Sequence, residues 1–292
     1  MKIAIFSKSF TEENTVHIQQ ILKRLETKKA TILFYESFYE KIKEHVVVKQ
    51  EIKTFKEHAE IKDSVDFLFS IGGDGTLLDT ITLVRDSGIP ILGINLGRMG
   101  FLSSISTEKI DAAIEDIFNK KFELDKRTLV RVNSTGNIFG DMNYGLNEVS
   151  IYRKAPFSML KLEAFVDEEY LNSYWGDGLI VSTPTGSTAY SLSNGGPIIM
   201  PHSLNFVITP IAAHNLTVRP IVIPDSCQIR IVVVGRIKEF LVNIDSRSVS
   251  VDSNTELLIE KEDFTINLIQ LLDEGYFNTI RKKLMWGLDI RN

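Results

Sequence analysis

Five residues in the first third of the chain, Gly72 to Thr76, combine glycines with a carboxylate in a pattern suited to phosphate chemistry. The run Gly-Gly-Asp-Gly-Thr follows a short apolar segment, Phe67 to Ile71, and precedes a segment with helical spacing. Glycines let the backbone approach an anion closely, and the first turn of a helix offers N–H groups to phosphate. Since a carboxylate there would repel a bare phosphate, Asp74 is expected to serve a proton or a Mg²⁺ ion. The turn predicts phosphoryl transfer with Asp74 at its chemical centre.

The turn taken alone leaves a structural alternative open. It matches neither the dinucleotide G-x-G-x-x-G pattern nor a Walker A loop, because no Lys follows in register. Gly-Gly-Asp-Gly is also compatible with a tight turn in which Asp74 caps the N-terminus of the next helix. Both interpretations stand for this motif by itself.

A second glycine group, Gly93, Gly97 and Gly100, follows the apolar run that begins at Ile91. The loop ends in Phe101 and an adjacent Leu, which could form an apolar wall beside the ring of a ligand. A simple turn permitted by glycine is the alternative.

A third polar feature lies in a segment without charged residues. From Gly178 through Val218 there is no Asp, Glu, Lys or Arg, yet four prolines interrupt the run, so a continuous membrane helix is excluded. Between Ser182 and Thr188 five hydroxyl side chains are spaced by Pro and Gly. Such a loop could hold phosphates or base edges without adding charge, and a plain turn between strands is the alternative.

Composition excludes several classes of protein. The chain has 292 residues, 43% hydrophobic and 24% charged, which suits one long or two ordinary globular domains. A formal charge of -5 weakens a nucleic-acid function, which needs a surplus of Lys and Arg. Cys227 is the only cysteine, so no internal disulfide forms and a cytoplasmic location is expected. The five histidines have no metal-ligand spacing, so no direct protein ligand for a metal is assigned.

Strand and helix patterns alternate in the first part of the chain, which predicts a doubly wound α/β domain. The predicted strands are Lys2 to Ser7, Thr31 to Tyr35, Phe67 to Ile71 and Ile91 to Ile94, and the predicted helices are Asn14 to Lys29, Thr76 to Asp86 and Thr107 to Lys120.

After about Lys121 short alternating runs dominate, which predicts an antiparallel, β-sandwich-like domain. The predicted strands are Leu129 to Ser134, Ser158 to Val166, Gln228 to Val234, Phe240 to Ile244, Ser248 to Val251 and Glu256 to Ile259. The last stretch, Thr279 to Gly287, is expected to be a helix that returns to the first domain. The predicted division is residues 1–121 with 265–292, and residues 122–264.

The order and spacing of four motifs resemble the NAD kinases over nearly the whole chain. These motifs are Gly72 to Thr76, Asn147-Glu148, Asp177 to Tyr190 and Gly195-Gly-Pro197. The first has relatives in diacylglycerol, sphingosine and 6-phosphofructo-kinases, whereas Thr-Pro-Thr-Gly-Ser-Thr-Ala-Tyr is far more specific. The resemblance implies phosphorylation of the 2′-hydroxyl on the adenosine ribose of NAD by ATP with Mg²⁺, giving NADP.

The resemblance also implies roles for individual residues. Asp74 would be the base or orienter of the hydroxyl, and the donor phosphates would lie on Gly72, Gly73, Gly75 and Thr76. The residues implied to contact NAD are Gly75, Phe101, Asn147, Glu148, Trp175, Asp177, Thr188, Ala189, Tyr190, Ser193, Ala213 and Asp245. A homo-oligomer, commonly a tetramer, is implied as well.

Trp175 departs from the family pattern, because many relatives carry a basic or small residue two positions before the aspartate. That position bears on the choice between NAD and NADH, so this preference stays open. A lipid kinase and a module that senses NAD or NADP without turnover are the competing interpretations. Neither a nucleic acid nor a membrane is expected as a partner.

Overall fold

The computed structural model describes residues 1–97, 100–103, 105–154, 159–272 and 275–286. Two predicted limits, Ser158 and Gly287, lie outside the described residues. The chain divides into an α/β unit, Met1–Lys126 with Ile266–Asn292, and a β unit, Arg127–Thr265. No helix in the described ranges is long and apolar enough to cross a membrane.

The α/β unit is built on a parallel sheet with the strand order β3-β2-β1-β4-β5. Its strands are β1 (Lys2–Phe6), β2 (Thr31–Tyr35), β3 (Lys53–Phe55), β4 (Phe67–Ile71) and β5 (Ile91–Ile94), and its first helices are α1 (Thr15–Thr27), α2 (Glu36–Ile42), α3 (His58–Ile61), α4 (Asp74–Val84) and α5 (Ile110–Phe118). The chain crosses back from β3 to place β4 beside β1. The loops after β1 and β4 therefore lie at the switch point where open α/β sheets bind ligands.

Amphipathic helices cover this sheet as their periodicity predicts. The inward residues expected on α5, Ile110 to Ile117, are buried together with the α1 stripe around Leu22. Val16, expected on the same stripe, is instead 71% exposed in the first turn of α1. Helix α4 begins at Asp74, two residues before its predicted start.

The β unit has two antiparallel sheets whose inner faces share one apolar core, which confirms the predicted class. Its elements are β6 (Phe122–Ser134), β7 (Tyr144–Gly145), β8 (Glu148–Arg153), β9 (Leu160–Val166), β10 (Glu169–Gly176), β11 (Gly178–Ser182), α6 (Tyr190–Ser193), β12 (Asn205–Ile211), β13 (Ile221–Pro224), β14 (Ile229–Val234), β15 (Glu239–Ile244), β16 (Arg247–Asp252) and β17 (Leu257–Leu271). One sheet has the order β13-β12-β11-β8-β15-β16, and the other contains β10-β9-β14-β17. Strand β17 extends past the β unit, and its residue Leu268 pairs with Ile91 of β5.

The charge-free segment corrects an expectation. Strands β11 and β12 occupy part of it, pair with each other, and are buried almost throughout. Burial in the interior of the six-stranded sheet therefore explains the missing charge in these two strands.

The last helix, α7 (Tyr276–Leu284), belongs to the α/β unit. Its Lys283 Nζ lies 5.7 Å from the ring centroid of Phe101. The return of the chain to the first unit thus brings a basic helix end beside the loop that follows β5.

Candidate active site

The carboxylate of Asp74 is bound by three successive backbone amides of the loop after β5. Phe101 N–H donates to Oδ2 at 2.8 Å, while the N–H groups of Leu102 and Ser103 donate to Oδ1 at 3.0 and 2.9 Å. A carboxylate has about four acceptor positions, so three are filled. Among the described residues Oδ2 accepts a single bond, which leaves one acceptor position on this oxygen.

Gly100 is the residue that lets this loop approach Asp74. A Cβ at Gly100 would lie 1.8 Å from Asp74 Oδ1, so any side chain would displace the carboxylate. At the start of the turn, Gly72 has a φ of +149° and a Cβ there would lie 2.4 Å from Thr76 Oγ1. The two glycine groups seen in the sequence therefore form one structure around Asp74.

The capping alternative for Asp74 is wrong. Gly73 is the N-cap of α4, and Asp74 is the first helical residue, with its side chain bound to another loop. A Cβ at Gly73 or Gly75 would meet no atom within 4 Å, so the turn faces open space. The turn has room for a ligand against the N-terminus of an 11-residue helix.

A cavity of about 370 Å³ lies at the same edge of the parallel sheet. Lys8 Nζ pairs with Asp79 at 2.6 Å, and Lys41 Nζ donates to the Lys8 carbonyl at 2.6 Å. The cavity is lined by Phe6, Lys8, Tyr35, Ser37, Lys41, Asp79, Thr82 and Leu83. It therefore has both aromatic and cationic walls, which no sequence motif indicated.

In the β unit, Asp245 is bound in the same manner as Asp74. Its Oδ2 accepts Leu146 N–H at 2.8 Å, and its Oδ1 accepts the N–H groups of Asn147 and Glu148 at 2.9 and 3.1 Å. Asp245 occupies the turn between β15 and β16 with a φ of +49°. The residue therefore fixes the backbone of the Asn147-Glu148 motif.

Glu148 lies beside Asp245 and has an unusual environment. Burial and then the charge of Asp245 raise the pKa of Glu148 to about 8, while a hydrogen bond from Tyr190 N–H acts in the opposite direction. Its Oε2 is buried and has no hydrogen-bond partner among the described residues. Burial also raises the pKa of Asp245, and its three amide donors oppose that rise.

Most of the hydroxyl loop serves the fold instead of facing a ligand. The side chains of Ser182, Thr183, Thr185 and Ser187 are buried. Thr183 Oγ1 donates to the Leu146 carbonyl at 2.5 Å, and the other three also have partners inside the unit. The expectation of a ligand-facing loop is wrong for these four residues.

Asp177 is held by a residue that the sequence did not single out. Arg153, at the end of β8, approaches both of its oxygens, with Nε to Oδ1 at 2.6 Å and an Nη to Oδ2 at 3.2 Å. The backbones are linked as well, through Arg153 N–H and the Asp177 carbonyl at 3.0 Å. Only strand pairing brings these residues together, so spacing along the chain gave no signal.

The other predicted residues of the β unit differ in how far they are exposed. Tyr190 is 6.0 Å from Tyr152, ring to ring, and Trp175 is 45% exposed, with its carbonyl bound by His214 N–H at 2.7 Å. Thr188, Ala189 and Ala213 are half-buried, and Ser193 is exposed on α6. Among the described residues, no group of three or more His, Cys, Asp or Glu could hold a metal ion.

Comparisons with known proteins match both halves of the chain. Residues 3–122 match the model of the ATP-NAD kinase N-terminal domain, and residues 146–271 match that of the ATP-NAD kinase C-terminal domain. The chain is 42% identical over 293 residues to a Cytophaga hutchinsonii protein named NAD kinase and 38% identical over 291 residues to one from Bacteroides fragilis; all three chains are covered fully.

Two solved structures have similar folds. Yeast NADH kinase complexed with NADH has a TM-score of 0.88 at 21% identity, covering 99% of this chain and 89% of that one. An NAD kinase from Archaeoglobus fulgidus in complex with ATP has a TM-score of 0.74 at 25% identity, covering 98% and 99%.

Proposed function

This chain belongs to the ATP-NAD kinase family, and from that premise we propose how its residues phosphorylate NAD to NADP with ATP as the donor. The enzyme is a phosphotransferase that acts on an alcohol group. The observation that carries the residue assignment is the Asp74 carboxylate, anchored by three amides with one acceptor position left on Oδ2.

Asp74 is proposed to orient the 2′-hydroxyl of the adenosine ribose and to accept its proton. A ribose hydroxyl is a weak nucleophile, so a carboxylate within hydrogen-bond reach assists its attack on the transferred phosphoryl group. The three amides fix the carboxylate before substrate binds, so the reaction does not have to order this side chain. The proton moves from the hydroxyl to Oδ2 as the new O–P bond forms and the bond to the ADP leaving group breaks.

The donor phosphates are proposed to lie on Gly72, Gly73, Gly75 and Thr76. Open space over two of these glycines and the N-terminus of α4 both suit an anionic chain. Mg²⁺ in such sites is held by few carboxylates and mainly by the phosphates, which suits a site with a single carboxylate in its turn. When bound, Mg²⁺ neutralises charge on the triphosphate.

The remainder of the ATP molecule is proposed to extend into the cavity beside α4. Phe6, which lines it, pairs with Ser70 of β4, two residues before Gly72, and the Tyr35 ring lies 4.9 Å from the Phe6 ring. We expect Tyr35→Ala to raise KM for ATP about tenfold without a matching change in KM for NAD, because stacking surface is lost. Equal changes in both constants, measured by initial rates, would contradict this placement.

NAD is proposed to contact most of the remaining predicted residues, namely Phe101, Asn147, Glu148, Trp175, Asp177, Thr188, Ala189, Tyr190, Ser193 and Ala213, while Asp245 holds the backbone of Asn147 and Glu148. Trp175 is exposed and stands where relatives differ, so it is proposed to influence the choice between NAD and NADH. We expect Trp175→Arg to change the NAD to NADH ratio of kcat/KM, whereas Tyr170→Arg, the same exchange at another exposed aromatic of β10, should leave that ratio as in wild type. An unchanged ratio in Trp175→Arg would show that Trp175 has no part in the choice between NAD and NADH.

One assay tests the function as a whole. Purified protein with ATP, Mg²⁺ and NAD is expected to form NADP, read by an NADP-specific dehydrogenase. A lipid kinase or an NAD sensor would form none, so absence of NADP with a correctly folded protein contradicts the assignment.

A cytoplasmic homotetramer is the proposed state of the enzyme. Exposed apolar side chains on the β unit, including Leu204, Leu216 and Val222, support association between copies. Light scattering coupled to size-exclusion chromatography measures the mass, and a monomer at micromolar concentration would contradict the proposal.

A further inference from the structure

The carboxylate of Asp245, which follows β15, accepts the backbone N–H of Glu148 at the start of the neighbouring strand β8. Glu148 N–H donates to Asp245 Oδ1 at 3.1 Å, and Asp245 N–H donates to the Glu148 carbonyl at 3.1 Å. The reciprocal pair fixes both backbones, so the two acids cannot separate without breaking it. Burial and the charge of Asp245 both oppose ionisation of Glu148, so the two acids do not both ionise readily.

The hydrogen-bond donors around the pair are distributed unequally. Asp245 accepts three backbone N–H groups, all of which favour its ionised form. Glu148 accepts Tyr190 N–H, while its buried Oε2 has no partner among the described residues. The single proton that the pair retains at neutral pH is therefore best placed on the carboxyl group of Glu148, a residue that is only partly buried.

We propose that Glu148 acts as a neutral carboxylic acid whose O–H donates a hydrogen bond to an acceptor oxygen of NAD, and that Asp245 is a positioning residue that keeps the proton on Glu148. This inference rests on the proposed function. It specifies the contact with NAD that the family resemblance implies, because an ionised Glu148 would accept hydrogen bonds, whereas the acid donates one. It also removes Asp245 from direct contact with the substrate.

The other titratable and charged groups around Glu148 and Asp245 are consistent with a proton on Glu148. Burial raises the pKa of Tyr152 to about 12, so its hydroxyl stays neutral beside Tyr190. Arg247 is a cation that acts on Asp245, and its guanidinium also donates to the carbonyls of Met142 and Tyr144. Its charge stabilises the ionised form of Asp245, which reinforces the placement of the proton on Glu148.

Titration calorimetry of NAD binding to the whole enzyme, without ATP, tests the inference between about pH 6.5 and 9.5. Wild type is expected to lose affinity by about tenfold for each pH unit above about 8, because the donor is lost. Glu148→Gln keeps a donor at this position and is expected to bind within about threefold of wild type at pH 7, with no decline at higher pH. Glu256→Gln, an exposed matched change before β17, is expected to follow wild type.

Two results would overturn the proposal. One is a flat wild-type profile, and the other is a loss of more than about tenfold at pH 7 in Glu148→Gln, which would show that the carboxylate is required. Infrared difference spectra between wild type and Glu148→Gln provide a second readout, since a protonated acid band at pH 7 must disappear by about pH 9.5. NADP formation by wild type at pH 7 is independent of these outcomes, so failure of the inference is distinct from failure of the function.

Discussion

Asp74 in the α/β unit and Asp245 in the β unit are held by the same local arrangement in unrelated settings. Each carboxylate accepts three successive amides, from residues 101–103 and 146–148, and each stretch of amides follows a glycine. The glycines are Gly100 and Gly145, where a Cβ would lie 1.8 Å and 2.9 Å from the respective Oδ1. Their surroundings differ, because Asp74 lies beside two glycines that face open space, whereas Asp245 lies beside the buried carboxyl group of Glu148. The same set of three backbone hydrogen bonds therefore holds a reacting carboxylate in one unit and a positioning carboxylate in the other.

Replacing each aspartate by asparagine is expected to have the largest effect and to separate these roles. Asp74→Asn removes the proton acceptor, so kcat should fall by about 10²-fold or more, with KM for NAD changed much less. Asp245→Asn should act mainly on KM for NAD, because it disturbs Glu148 and not the transferred group. Steady-state kinetics measures both, with circular dichroism as the check on folding. If the two variants lose kcat equally, the distinction drawn between the aspartates is wrong.

The two glycines provide the next test. Gly100→Ala and Gly145→Ala should each destabilise the protein by about 1–3 kcal/mol, because the new methyl group has no space. Gly100→Ala should also abolish most activity by displacing Asp74, whereas Gly145→Ala first meets Ile244 Cγ2 at 2.6 Å. Gly275→Ala is the control, since a Cβ there would meet nothing within 4 Å. Thermal unfolding and turnover together decide whether Gly100 is the more sensitive position.

The pH dependence of stability tests the environment of Glu148 alone. A raised pKa means that the folded state retains the Glu148 proton where the unfolded chain has lost it, so stability falls as pH rises from about 4.5 to about 8. The slope for one such group is about 1.4 kcal/mol for each pH unit. Glu148→Gln should match wild type near pH 4.5 and become relatively more stable toward pH 8, as measured by urea unfolding. Glu256→Gln should show no such divergence.

Sequence patterns predicted the elements whose burial is periodic. The stripes on α1 and α5 and the apolar runs of β1, β2, β4 and β5 were all found close to their predicted limits. Motif spacing and order also indicated the kinase family, because the segments that resemble it are distributed over the whole chain. Periodicity and motif order are both local properties of the sequence, so a single sequence contains the information needed to predict these elements and the family.

Contacts across strands could not be predicted in this way. Arg153 meets Asp177 only because β8 pairs with β11, and the carboxylate of Asp74 meets amides 27 to 29 residues away. The hydroxyls of Thr183 and Ser187 looked like ligand donors, yet burial commits them to carbonyl partners. The sequence of a loop is the same whether its polar side chains bind a ligand or the backbone, so residue type alone does not distinguish the two.

The separation of the bonded residues along the chain has a consequence for how the protein folds. The amides on Asp74 lie 27 to 29 residues from it, whereas those on Asp245 lie 97 to 99 residues from it. Closing the longer loop costs about 1 kcal/mol more in chain entropy, and native contacts of high separation slow folding. Asp74 can therefore be enclosed early, during collapse of a short segment, whereas Asp245 must wait until most of its unit has assembled. During synthesis on a ribosome, the amides of residues 101–103 can therefore bind Asp74 before Asp245 has been added to the chain.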